Sequence, residues 1–334
     1  MRFQIITIIL SGVICQLAYG QLTQEECTKQ DVRDKNPQLK DFFSTPRDQD
    51  SIGWCYAFAA ADLLSVAAGT PVSSMHASAI YNKSISNNFF WSTIYGINDL
   101  FKDRKLKDIY EGGYVDKALN ETLDAGNICT EKELPFDSDY NQETYRTIKA
   151  LEELKQDVQN EISFTDFCTK MSNILPRSPF TNVDLMNLYQ AMLGNELNQA
   201  LEEMMANSCQ GIKVKIPDFK TQSIDKPFFS FFNQSKNDYF KKIGEVLADG
   251  RPLAISYDVG KVLRRSDSGG GHASVIMARQ WRNNKCEYKI RNSWGSICGY
   301  YREDIECNRN EGSFWVDEDT FYEMVIDIDY ISNK

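Results

Sequence analysis

Residues 55 to 68, CYAFAAADLLSVAA, carry few polar side chains and no Pro or Gly, and then meet Gly69 and Pro71. That pattern predicts a buried helix closed by a glycine cap. Val72-Ser73-Ser74 ahead of Met75 to Ile80 predicts a second helix with a serine N-cap, and Val115 to Ala125 a third. Residues 83 to 110 mix aromatics with charge and show no readable period, and residues 126 to 140 read as a turn, a short capped segment and an irregular loop at Pro135. From about 141 to 237 the pattern is helical again, over Tyr145 to Ile162, Val183 to Leu193 and Leu197 to Ala206, with a break near Pro176 and Pro179. The charged run Glu152 to Glu161 reads as the solvated face of this inserted subdomain. After it come a helix at Tyr239 to Ala248, a turn at Gly250-Arg251-Pro252, and strands at Leu253 to Tyr257, Ala273 to Arg279, Tyr288 to Arg291 and Ser313 to Asp317. Residues 21 to 48 read as an extended arm. The predicted class is α+β: a helical half over 49 to 140, a helical insertion over 141 to 237, and a β-rich half over 238 to 334.

The first twenty residues have the pattern of a cleavable export signal: Arg2, an apolar run from Ile5 to Cys15, and the small-x-small site Ala18-Tyr19-Gly20. The mature chain is expected to begin at Gln21 and to be secreted or periplasmic, with no later stretch apolar enough to span a membrane. A net charge of −10 and a pI near 4.9 argue against nucleic acid or an anionic membrane as partner. With Cys15 lost on processing and Cys55 set aside as a free thiol, seven cysteines are left for up to three disulfides. Proximity in sequence suggests Cys168 with Cys209 and Cys298 with Cys307. Asn82, Asn120 and Asn233 lie in glycosylation sequons, which matter only in a host that glycosylates exported proteins.

Cys55 falls in the first turn of its helix, where unpaired backbone N–H groups and the positive end of the helix dipole favour a thiolate. Gly53 permits a tight turn before it, and Gln49, six residues upstream, offers an amide donor. A cysteine on an apolar helix is most often an inert core residue, so its standing depends on a suitable histidine elsewhere. The chain has two. His272 follows Gly269-Gly270-Gly271 at the start of one strand, and Asn292 ends another in Asn292-Ser293-Trp294-Gly295. If those strands are neighbours, the amide oxygen of Asn292 can fix one imidazole nitrogen without adding charge, leaving the other for the thiol. Trp294 can cover that hydrogen bond from water. His76 lies outside every motif and reads as structural.

These residues resemble those of the papain-type cysteine peptidases. Gln49, Gly53, Cys55, Ala57 and Phe58 match that family's first motif, Gly271-His272-Ala273 is similar to its histidine motif, and Asn292-Ser293-Trp294-Gly295 matches its asparagine motif. Glu111-Gly112-Gly113-Tyr114 resembles its substrate-binding strand, Glu131 to Phe136 the loop after it, and Gly250 to Leu253 the turn into its second subdomain. The resemblance implies a helical half and a β-barrel-like half with a cleft between them. It implies Cys55 as nucleophile, His272 as proton shuttle, Asn292 as its orienter, and Gln49 with the Cys55 N–H as oxyanion donors. Gly112, Gly113, Tyr114, Val115, Ala273 and Trp294 would bind substrate, with an apolar side chain beside the scissile bond. Polypeptide substrates, a protein inhibitor as a further partner, a monomer, and no metal or cofactor follow from the same likeness.

The departures are specific. Cys55 and His272 stand 217 residues apart, against roughly 130–150 in the family, and the helical insertion accounts for the excess. Ile52 replaces a cysteine that many relatives pair near the motif. Trp54 takes a usually small position and is expected to narrow the cleft, Tyr56 stands for the common Trp, and Gly271 stands where relatives often carry Asn or Asp. The insertion could cover the cleft or stand aside as a peripheral subdomain. An exopeptidase blocked at one end by the insertion, and a silent binding protein on the same fold, are the alternatives to an endopeptidase.

Overall fold

The computed structural model describes residues 22–87, 109, 111–136, 143–178, 180, 182–194, 196–209, 212–227, 236–264 and 270–333. The predicted signal peptide with Cys15, most of the unreadable stretch 83–110, Gly269 and the sequon at Asn233 lie outside them.

Eleven α-helices occur among the described residues: α1 Val32–Lys35, α2 Lys40–Ser44, α3 Cys55–Ala68, α4 Ser74–Asn87, α5 Val115–Ala125, α6 Glu143–Gln159, α7 Phe164–Ile174, α8 Leu185–Leu193, α9 Leu197–Ser208, α10 Lys236–Ala248 and α11 Glu318–Met324. The strands are β1 Gln30–Asp31, β2 Asn127–Cys129, β3 Lys213–Lys215, β4 Phe219–Ser223, β5 Leu253–Asp258, β6 Gly271–Arg282, β7 Lys285–Arg291, β8 Glu306–Asn308, β9 Ser313–Asp317 and β10 Val325–Asn333. The class is α+β as expected, with a helical part and an antiparallel sheet part. The sheet is open, in the order β4-β10-β5-β6-β7-β9-β8, with β1 paired to β6.

α3 is buried on every side from Tyr56 to Ser65 because it lies between α4 and α5 on one flank and β6 and β5 on the other. Each Leu or Phe it hides contributes about 1.5–3 kcal/mol. Gly69, at φ 69°, closes it in the left-handed conformation that the sequence pattern called for. Ser73 caps α4 through the His76 N–H at 3.2 Å. On the other side of the sheet α10 and α11 bring Tyr239, Phe240 and Phe321 onto Tyr288, a second aromatic core.

A buried charge network joins the two parts. Asp62 of α3 accepts from Arg47 at 2.8 Å and from Arg291, the last residue of β7, at 2.5 Å, all three side chains being 7% exposed or less. Arg291 also donates to the Phe42 and Thr45 carbonyls, and both guanidinium groups lie over the Phe42 ring. Glu131 adds a longer contact to Arg47, at 3.4 Å.

Several expectations change. The arm is not extended: β1, α1 and α2 lie within it, and Cys27 ties it to Cys286. Cys209 pairs with Cys129 and not with Cys168, which is free. The reason is spatial, since the β2–β3 ladder and the packing of α9 on α4 bring Cys209 to Cys129 while α7 is held against α6 and α8. Cys298–Cys307 forms as expected. Within the insertion α9 packs along α4, with Glu202 accepting from Lys83 at 2.8 Å. α8 lies on α9, and α6 and α7 lie on α8. β4, from the same stretch of sequence, joins the main sheet at its edge. Glu152 and Lys155, read as solvated, are buried; Glu152 accepts the Ile109 N–H at 3.1 Å.

Candidate active site

The residues singled out in sequence come from three places: the loop 47–55 ahead of α3, the start of β6, and the loop after β7. A short backbone ladder stitches the first to the third. Gln49 N–H donates to the Ser293 carbonyl at 2.8 Å and Gly295 N–H to the Arg47 carbonyl at 2.8 Å. The Gln49 side chain is held at both ends, its Oε1 accepting from Ser293 Oγ at 2.6 Å and its Nε2 donating to the Ile52 carbonyl at 2.8 Å. An amide so fixed has its second N–H aimed by the loop itself and needs no reorganisation when an anion arrives.

Trp54 opens α3 without a side-chain cap. Part of the Cys55 residue stays open to solvent, and burial pushes the thiol up from its ordinary value. Burial outweighs the backbone N–H groups of Ala273, Tyr56 and Cys55, which favour the thiolate.

His272 Nε2 lies 2.7 Å from Asn292 Oδ1. The tautomer follows from the neighbours. Asn292 Nδ2 donates to Tyr301 Oη at 2.7 Å, and Oδ1 also accepts from Ser274 Oγ at 3.1 Å and from the Ser293 N–H at 2.8 Å. Oδ1 is therefore an acceptor, Nε2 carries the proton, and Nδ1 is left as the basic nitrogen. The Trp294 ring lies 4.5 Å from the imidazole and the Tyr257 ring meets it edge-on at 5.5 Å. Burial by these rings pulls the imidazole down to about 4, which the Asn292 bond only partly opposes. Above that pH the ring is neutral and able to take a proton.

Gly112 and Gly113 need to be glycine for different reasons. Gly112 has φ +85°, and a Cβ on Gly113 would come within 2.9 Å of the Tyr56 and Tyr81 rings. Tyr114 is 55% exposed, whereas Val115 is 2% exposed with its side chain in the core. Ala273 is 5% exposed. Across the sheet Ala273 pairs with Ser256, and Ser256 with Asp327. Asp327 is pushed up by burial and then by the Asp116 carboxylate, and Asp329 by burial and then by the Asp327 carboxylate, to about 6. Trp54 does not narrow the cleft: it is 1% exposed and packs edge-on against Phe136.

Ser274, Ser293, Tyr301 and the Asp62 network escaped sequence reasoning. Ser293 lies inside a recognised motif, but nothing in the sequence marks Tyr301 as the partner of an amide nine residues earlier. His76, Cys129 and Cys209 place three ligand-type atoms within 4.8 Å of one another. Their chemistry does not suit a metal, since the two sulfurs are bonded together and His76 Nδ1 accepts the Cys129 N–H at 3.0 Å.

No family model matches the chain, and no curated protein matches it in sequence. Among solved structures it is similar to papain-like cysteine proteases. The bromelain protease from Ananas comosus in complex with the E64 inhibitor has a TM-score of 0.45 and 11% identity, over 92% of this chain and 99% of that one. Digestive procathepsin L 3 from the Tenebrio molitor larval midgut has a TM-score of 0.41 and 12% identity, over 94% and 72%. SERA5E from Plasmodium falciparum has a TM-score of 0.47 and 11% identity, over 91% and 96%.

Proposed function

We propose that this chain is an exported cysteine endopeptidase. The observation that carries the reading is the 2.7 Å bond from His272 Nε2 to Asn292 Oδ1, which reserves Nδ1 for the thiol of the neighbouring helix start. Cys55 attacks a peptide carbonyl as His272 Nδ1 takes its proton, and the carbonyl oxygen becomes an oxyanion held by the Cys55 N–H and the Gln49 amide. Collapse breaks the C–N bond, with His272 returning the proton to the leaving amine, and a thioester is left on Cys55. Water then attacks it, giving one proton to His272, and the acid product leaves as the thiol re-forms. Burial disfavours the charged form of each group taken alone. Three disulfides fit an oxidising compartment.

An epoxide that alkylates active-site thiols is expected to label wild-type protein once, at Cys55, and to stop hydrolysis of a denatured polypeptide. Cys55→Ala should lose labelling and hydrolysis together while keeping its thermal midpoint. Labelling at Cys168 in place of Cys55, or labelling without any hydrolysis, would point to a binding protein.

A further inference from the structure

The loop carrying both oxyanion donors is tied to the sheet part by Ser293, and at Gly53, just ahead of the nucleophile, it is tied to the helical side by the Glu111 carboxylate. Gly53 N–H donates to Glu111 Oε1 at 3.2 Å, and Gly112 N–H returns a bond to the Gly53 carbonyl at 2.7 Å. The approach is close, since a Cβ on Gly53 would lie 3.0 Å from the Glu111 Cβ. The next N–H, that of Trp54, is satisfied within the loop by the Ile52 carbonyl at 2.8 Å. Gly53 is thus the point at which a side chain from outside the loop reaches its backbone.

We propose that Glu111 is a positioning residue: its carboxylate pins Gly53, and so sets where the Cys55 N–H points, while tying the nucleophile loop to the Gly112–Gly113 segment. The proposal rests on the peptidase reading for its rate consequences, though not for the contact itself. Only Trp54 separates Gly53 from Cys55, so a freed Gly53 lets the oxyanion donor drift, and a misplacement near 1 Å can cost about 100-fold in rate. The carboxylate also stands beside the positive end of α3, where an anion is favoured and where Trp54 supplies no cap. What positioning requires is an acceptor oxygen, which glutamine also has.

The test compares wild type, Glu111→Ala and Glu111→Gln well below their melting temperatures. Three readouts are taken: kcat and KM on a fluorogenic peptide, the rate of Cys55 alkylation by iodoacetamide, and amide exchange of the 49–54 peptide by mass spectrometry. Glu111→Ala should lose about 10–100-fold in kcat. Its alkylation rate, which needs no oxyanion donor, should stay within about 3-fold, and exchange in 49–54 should quicken about 10-fold. Glu111→Gln should restore kcat and exchange protection. A wild-type kcat in Glu111→Ala, a Glu111→Gln variant as slow as Glu111→Ala, or unchanged exchange would overturn the proposal. If wild type cleaves no peptide, the peptidase reading fails and the exchange result alone decides the role of Glu111.

Discussion

His272→Ala will lose at least about 10⁴-fold in kcat, because the thiol then has no base to take its proton and the leaving amine no acid. Gln49 and the Cys55 N–H remain, so substrate binding should change little. The same variant carries a signature in stability. The buried imidazole is held down to about 4 from an ordinary 6.5, so the unfolded chain takes up a proton first as the pH falls. Stability contributed by the neutral ring is fully present above pH 6.5 and is lost as the pH drops through 4, about 3 kcal/mol in all. Unfolding free energies of wild type should fall over that window by about this amount more than those of His272→Ala. Parallel curves would mean that His272 is not held neutral by burial.

Asp62→Ala will destabilise the fold by about 3–5 kcal/mol, the cost of leaving buried charge uncompensated. Two guanidinium groups, Arg47 and Arg291, converge on this carboxylate, and burial already pulls Arg291 below its ordinary value. Removing Asp62 leaves both cations in the core, with Glu131 the remaining carboxylate paired to Arg47 among the described residues. Asp157→Ala, which breaks an ion pair whose side chains are 50% and 43% exposed, should cost less than about 1 kcal/mol. Urea midpoints of the two variants measure the contrast. Because Asp62 lies two turns beyond Cys55 and Arg291 immediately precedes Asn292, Asp62→Ala should also slow hydrolysis under conditions where it remains folded.

The parts of this architecture that were legible in sequence are those with local causes. An Ala- and Leu-rich run with a terminal glycine specified α3, and apolar runs bounded by turn residues marked β5, β6, β7 and β9. Because His272 opens β6 and Asn292 follows β7, reading those strands as neighbours also placed the imidazole beside the amide. What sequence did not reveal is decided by distant partners. The bond between Asp62 and Arg291 joins residues 229 positions apart, and the Cys27–Cys286 disulfide 259. β10 was missed because Asp327 and Asp329 interrupt its apolar pattern, and its place inside the sheet, paired to β4 on one side and β5 on the other, outweighs that local signal. Cys168 was paired by nearness in sequence, a poor guide once α9 docks on α4. Trp54 was expected in the cleft from its position alone, whereas the turn at Gly53 delivers its ring to Phe136.

The most direct test of Cys55 as a covalent nucleophile is to trap the intermediate. Wild-type protein mixed with a slowly hydrolysed peptide ester, quenched in acid and digested, should yield the Cys55 peptide with the mass of the acyl group attached as a thioester. That adduct should disappear on hydroxylamine treatment and be absent from Cys55→Ala. Hydrolysis that proceeds equally in Cys55→Ala, or an acyl group found on any residue other than Cys55, would contradict the account.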